Sequence, residues 1–245
     1  QGPRPRDFFF NREKFDEEWD SFFYDLRQPE WWQGDSAYHP PAYEEPISLL
    51  EANLRTGDFV TTGEIAPPLS ASGSVILKKV DWLKGYVTAA NFTDNASASA
   101  RMSSIASSKI CLDAGLEPIM QLQARDRTRV VIESDVMGAA GLGIRNVLCL
   151  SGDHHRFGPG PMSKPDQFDM DAVQMLWMLR RMRDDGIYID GRSIKNRPQF
   201  FLGAAASPFG APPRFEAIRA EKKINAGAQF IQTQPIFDYN GFLEW

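Results

Sequence analysis

Four groups of polar residues stand where short apolar runs stop, and each has the makings of chemistry. In TGEIAPP, Thr62–Pro68, an acid sits within an apolar run. A charged carboxylate is costly to bury, so burial raises its pKa and makes Glu64 a candidate general acid. The plain alternative is a strand-end glutamate facing water. In LCLSGDHH, Leu148–His155, the turn Ser151-Gly152-Asp153 lets backbone N–H groups approach a phosphate or a planar ring, because Gly152 has no Cβ. Asp153 can then accept a hydrogen bond from that ligand. His154 and His155 do not read as metal ligands. Adjacent side chains point apart, the chain has three histidines, and it has no HExxH or cysteine cluster.

The other two groups are less specific. In QLQARDRTR, Gln121–Arg129, Asp126 is expected to cap the next helix while the arginines pair on the surface. The functional alternative is support of an anionic ligand. In EKKINAGAQFIQTQPIFD, Glu221–Asp238, Lys222 and Lys223 lie on a helix and read as a solvated face. Gln232 and Gln234 share one strand face, and their amides can read the amide edge of a heterocycle. No Walker A sequence, no GxGxxG after a strand and no GxSxG is present.

The elements that must hold these groups follow from the hydrophobic rhythm after Leu54. Apolar runs at Phe59–Ala66, Tyr86–Phe92, Pro118–Gln123, Asn146–Leu150, Phe200–Ala206 and Phe230–Gln234 read as strands. Helix-like stretches lie between them: Ser74–Lys84, Ala100–Gly115 (with Met102, Ile105, Ile110 and Leu112), Arg129–Gly143, Met170–Gly186 and Phe215–Gly227. Gly115, Gly143, Gly186 and Gly227 sit at the helix ends, where a left-handed cap suits glycine. Alternating strands and helices imply a parallel α/β sheet. The polar groups all fall at the C-terminal strand ends, where α/β folds carry their sites. A barrel gathers them in one mouth and an open sheet spreads them along an edge, so the barrel is favoured.

Composition sets the outer limits. The chain has 245 residues, 42% hydrophobic and 24% charged, with a net charge of −5. That is enough chain for a sizeable core, and the acidic balance argues against nucleic acid as a partner. No apolar run reaches the ~20 residues of a membrane span. Two cysteines exclude a disulfide framework, and the opening QGPRPRDFFFN lacks a signal-peptide core, so a cytoplasmic setting is expected. Residues 1–50 read as an aromatic-rich arm, with Phe15, Trp19, Phe22 and Phe23 at helical spacing among acids. Its aromatics pack either on the parent domain or on another chain. Residues 51–245 form the barrel domain.

The ordered motifs TGEIAPP, ANFTDN with RMSSIA, QLQARDRTR, LCLSGD, FLGAAASP and EKKINAGAQFIQTQPIFD together resemble the methylenetetrahydrofolate reductase family, from about Gly57 to Asp238. The resemblance implies a (β/α)8 TIM barrel with FAD across the strand C-termini. It implies NAD(P)H or a redox partner as the source of electrons and 5,10-methylenetetrahydrofolate as substrate. Glu64 matches the acid that protonates the folate, Asp153 the aspartate beside flavin and pterin, and Gln234 a folate-contacting glutamine. Thr93 and Gln121 match positions by the isoalloxazine, with Gln121 standing where some members have His. Ser151, Gly152, Phe168 and Asp169 match the loops that flank the cofactor, and Glu216 and Lys223 match helix positions for ribose hydroxyls and phosphate. Some members have Arg where this chain has Ser151, and an aromatic where it has Ser207.

The family pattern continues for two more β/α units, so the barrel is expected to stop after about six. The length then reads as that of a fragment, with completion by a second polypeptide or a different closure as alternatives. The aromatic arm suits docking in a homo-oligomer or a multi-subunit redox complex. Two rival functions stand beside the reductase: a non-catalytic or accessory folate-binding subunit, and a barrel reductase acting on another C1-pterin.

Overall fold

A computed structural model describes residues 34–154, 157–159, 169–210 and 212–245. The helix expected around Phe15–Phe23 lies outside the described residues. Six strands follow one another in a single parallel sheet of order β1-β2-β3-β4-β5-β6. They are β1 Thr62–Ile65, β2 Ala89–Phe92, β3 Glu117–Gln123, β4 Asn146–Leu150, β5 Phe201–Ala206 and β6 Phe230–Thr233. All six lie within the apolar runs read from the sequence, apart from Glu117 at the start of β3.

Helices connect them: α2 Ser74–Leu83, α3 Ser104–Asp113, α4 Arg129–Gly141, α5 Ala172–Asp184 and α6 Pro213–Asn225, with α1 Leu49–Thr56 ahead of β1 and α7 Tyr239–Glu244 after β6. The four helix-end glycines all have positive φ, as their place in the sequence predicts. Side chains from β1 and from β6 line one concavity, so the sheet curls into a half-barrel. The chain therefore has the truncated (β/α) barrel architecture that the sequence implies.

Alternation along each strand divides the core in two. On the outer face Ile65, Ala90 and Phe92 pack against Ile76, Val80, Cys111 and Leu116. On the inner face Ala89, Ile119, Leu148 and Phe201 enclose Leu50. Leu50 belongs to α1, which plugs the N-terminal end of the barrel. The plug is held electrostatically: the Glu117 carboxylate accepts from the Leu49 and Leu50 amides at 2.7 and 2.9 Å. Asn146 Nδ2 donates to the same carboxylate at 2.8 Å, which ties β3 and β4 to the helix. Glu51, fully buried, accepts from Tyr43 Oη, the Ile47 amide and Arg55 Nη2. Burial pushes the Tyr43 phenol up to about 12.

The face that α3 buries differs from its most apolar side. Ser104, Ser107, Ser108 and Cys111 are inside, whereas Ile105, Ile110 and Leu112 are half-buried. Small side chains let this helix close onto β3, and close approach outweighs apolar area here.

Gly203 on β5 has a steric duty. A Cβ there would lie 2.2 Å from the Phe230 ring, which stacks on Phe201 at 4.9 Å. Gly203→Ala is therefore expected to destabilise the fold by about 1–3 kcal/mol through overpacking. Gly138→Ala, in α4 with nothing near the new methyl, is expected to stabilise by about 0.5–1 kcal/mol through helix propensity. Urea unfolding of the two variants checks both signs.

Candidate active site

The concavity at the C-terminal strand ends has a volume of about 670 Å³. Glu64 of β1, Gln121 of β3, Leu148 and Leu150 of β4, Ala205 of β5 and Gln232 of β6 line it, with Gln234 and Ile236 from the segment after β6. Parallel register explains the set. Gln121 pairs with Leu148, and Ala205 pairs with Gln232, so these residues face the same side. Three of the sequence candidates, Glu64, Gln121 and Gln234, thus meet in one cavity. The side chains of Glu64, Gln121, Gln232 and Gln234 have no hydrogen-bond partner among the described residues.

The expected burial of Glu64 is not found. Glu64 is exposed, because β1 is the outer strand of the sheet and no further strand among the described residues covers it. The water-facing alternative therefore holds for Glu64. Asn91, which sequence reasoning passed over, is its register partner on β2. Asn91 is 2% exposed and its Oδ1 is buried without a partner. Thr93, two residues on, is also buried, and its Oγ1 lacks a partner too. Their i, i+2 spacing at a strand end was the available signal.

The β2 and β4 ends are tied together. Asp153, exposed, accepts from the Ser97 amide through Oδ2 at 2.8 Å. Gly152 has φ +94°, and a Cβ there would lie 2.5 Å from Gln123 Oε1. The missing Cβ thus makes room for the protein's own side chain. Ser151 Oγ accepts from the Ala172 amide at 3.2 Å, at the start of α5.

The QARDR segment departs from the reading of a capping Asp126 with surface pairs. Asp126 does not cap α4: it accepts from Arg125 Nε and Nη2 at 3.0 and 2.7 Å. Thr128 holds the N-cap position, and Asp169 accepts from the Arg129 amide at 2.7 Å. Arg125 is buried, and Arg127 pairs with buried Asp94, so these are not surface pairs. The side-chain hydrogen bond from Arg129 holds the Asp169 carboxyl below the usual range.

The remaining candidates lie around β5 and α6. Ser207 follows β5, and its carbonyl accepts from the Gly210 amide at 3.1 Å. Glu216 pairs with Arg219 at 3.4 Å. Lys223 is not a solvated face residue: its Nζ donates to the Ala205 carbonyl at 2.6 Å, and burial pushes its pKa down. Phe168 and His155 lie outside the described residues. Cys111 and Cys149 are buried free thiols whose pKa values burial raises, which disfavours a thiolate nucleophile. Among the described residues no group of three His, Cys, Asp or Glu is placed to hold a metal ion, and no helix is long and apolar enough to cross a membrane.

A parallel β/α barrel with an uncommitted polar mouth at its C-terminal strand ends defines a class of enzyme folds. Within it, the family model for methylenetetrahydrofolate reductase matches residues 49–245, and the chain belongs to that family. No curated protein matches the chain. A solved structure of an uncharacterized protein from Clostridium thermocellum, described as binding two copies of 5-methyl-5,6,7,8-tetrahydrofolic acid, aligns with TM-score 0.54 at 15% identity. The alignment covers 80% of this chain and 62% of that one, so the chain spans less than two thirds of that neighbour's length. A GH18 chitinase from Pseudoalteromonas aurantia aligns with TM-score 0.37 at 14% identity, over 74% of this chain and 70% of that one.

The family implies FAD, and the residues present fit its ring end. Thr93 offers a buried hydroxyl with no partner, and Gln121 offers a free amide in the cavity wall. Ser151, Asp169, Glu216 and Lys223 already hold partners within the protein.

The Arg129–Asp169 link has a pH signature. A carboxyl lowered in the folded state stabilises above its ordinary value of 3.8 and ceases to do so as pH falls through the folded value. Asp169→Asn is expected to be less stable than the parent near neutral pH, with the difference shrinking below pH 3.8. Urea midpoints measured across that range check it, and a pH-independent gap would contradict the assignment.

Proposed function

We propose that the protein reduces 5,10-methylenetetrahydrofolate to 5-methyltetrahydrofolate by hydride transfer through FAD, with electrons from NAD(P)H or a redox partner. The carrying observation is the polar lining of the cavity. Glu64, Gln121, Gln232 and Gln234 present one acid and three amides with no partners among the described residues. Such groups gain most from a ligand whose own edge carries donors and acceptors, as a pterin does. Membership of the family and the folate bound by the Clostridium thermocellum neighbour support the same reading.

The reaction needs one proton and one hydride. The product keeps its methyl group on N5, so the bond that breaks is the one between the methylene carbon and N10. Glu64 donates the proton to N10, the five-membered ring opens to an N5 iminium, and hydride addition to the methylene carbon gives the methyl group. The amides of Gln121, Gln232 and Gln234 orient the pterin. The Asp153 carboxylate, with Oδ2 fixed by the Ser97 amide, stabilises the cationic folate. Thr93, Gln121 and Gly152 would hold the FAD ring, and Ser151, Phe168, Asp169, Ser207, Glu216 and Lys223 would hold its remainder. FAD, when bound, supplies the hydride.

One observation favours a second reading, folate binding without reduction. Ser151, Asp169, Glu216 and Lys223 are engaged inside the protein, so part of their hydrogen-bonding capacity is already spent.

Glu64→Gln separates the steps. Folate turnover is expected to fall by about 100-fold or more, the scale of a general acid, while NADH still bleaches the flavin band near about 450 nm. Full folate turnover by this variant would overturn the role of Glu64. A parent protein that binds folate but neither flavin nor NADH would move the assignment to the second reading.

A further inference from the structure

Arg125 takes no part in the chemistry above, yet it is a charged group enclosed at the mouth. Its side chain is 1% exposed. Nη1 donates to the Asp153 carbonyl at 2.9 Å, and Nη2 donates to the Asn95 carbonyl at 3.0 Å. Nε and Nη2 also donate to the two carboxylate oxygens of Asp126. The Arg125 amide donates to the Ser151 carbonyl at 3.0 Å. One residue at the end of β3 thus grips the loop after β2 on one side and the loop after β4 on the other.

The loops it grips would not hold this shape unaided. Asn95, Ser97 and Ala98 have φ of 45, 54 and 52°, the left-handed region that side chains with a Cβ disfavour. The conformation aims the Ser97 amide at Asp153 Oδ2. On the facing loop, Gly152 at φ +94° leaves room for Arg125, since a Cβ there would come within 3.0 Å of the Arg125 Cβ. Asp94, just ahead of the strained turn, accepts from the Gln123 amide at 3.0 Å and pins that loop to β3 from below.

We infer that Arg125 is a positioning residue: its guanidinium fastens the β2 and β4 loops so that Asp153 presents its carboxylate to the ligand. Arg125 itself does not touch the ligand, because its fork is occupied by Asn95, Asp126 and Asp153. A lysine cannot replace it, since one ammonium on a flexible stem does not match four bonds laid out in a plane. The role of Asp153 rests on the folate reading, whereas the clamp does not.

The test is a double-mutant cycle in the full chain. Binding of 5-methyltetrahydrofolate is measured by calorimetry for the parent, Arg125→Lys, Asp153→Ala and the double variant, and amide exchange at Ser97 is followed alongside. Arg125→Lys is expected to weaken binding on the order of tenfold and to speed exchange at Ser97. Added to Asp153→Ala, it is expected to cost less than about twofold, because the residue acts through Asp153. Unchanged affinity in Arg125→Lys, or a full additive loss in the double variant, overturns the inference. If Arg125→Lys does not fold, Asp126→Asn loosens the same fork and is expected to weaken binding in the same direction. Unchanged affinity there counts against the clamp. A parent that binds no folate overturns the functional reading instead, and Ser97 exchange then decides the clamp alone: unchanged protection in the variant refutes it.

Discussion

The mouth of this half-barrel depends on the in-line pairing of parallel strands. Successive side chains alternate faces, and residues at equal register on neighbouring strands share a face. Curling then turns one face into a wall and brings its last inward layer together. Glu64, Gln121 and Gln232 are far apart in the chain, yet this rule places them around one cavity. The curl itself needs small residues inside. Gly203 gives the Phe230 ring a place beside Phe201, and Ala205 leaves the cavity wall low at β5. A bulkier inner row would fill the cavity.

The two ends of the barrel handle polar groups in opposite ways. At the N-terminal end, Glu51 is buried and Glu117 half-buried, and each is satisfied by several donors. Satisfied buried networks rigidify and fix one arrangement. At the C-terminal end, Asn91 Oδ1 and Thr93 Oγ1 are buried with no partner, and the amides of the wall are equally uncommitted. Unpaired buried acceptors cost stability that a ligand can restore. Strained φ values also gather at that end, in the loop after β2. Polar groups are thus satisfied at the base and left unpaired at the mouth.

The rhythm of short apolar runs and glycine-ended helices was legible because it is local. Each strand lies where a run predicts it, with only Glu117 falling one residue outside. α1 escaped notice although Ser48-x-x-Glu51 is a capping signature, and the Ser48 side chain does accept from the Glu51 amide. At eight residues it is too short for apolar periodicity to mark it. The exposure of Glu64 was not legible, because it depends on whether a strand lies beyond β1. Nor was the duty of Arg125, whose partners Asp153 and Asn95 are 28 and 30 residues away. The motif QARDR read as a surface cluster because nothing local says that two loops close over it. The serine face of α3 was hidden for a similar reason: helix packing distance is set by the neighbour as well as by the helix.

The account turns on a folate occupying the cavity at the strand C-termini. A crystal structure of the protein grown with 5-methyltetrahydrofolate tests this most directly. The prediction is a pterin held between Gln121 and the Gln232–Gln234 segment, with Glu64 and Asp153 bordering it. Folate bound elsewhere on the molecule, or a cavity left empty at saturating ligand, would contradict it.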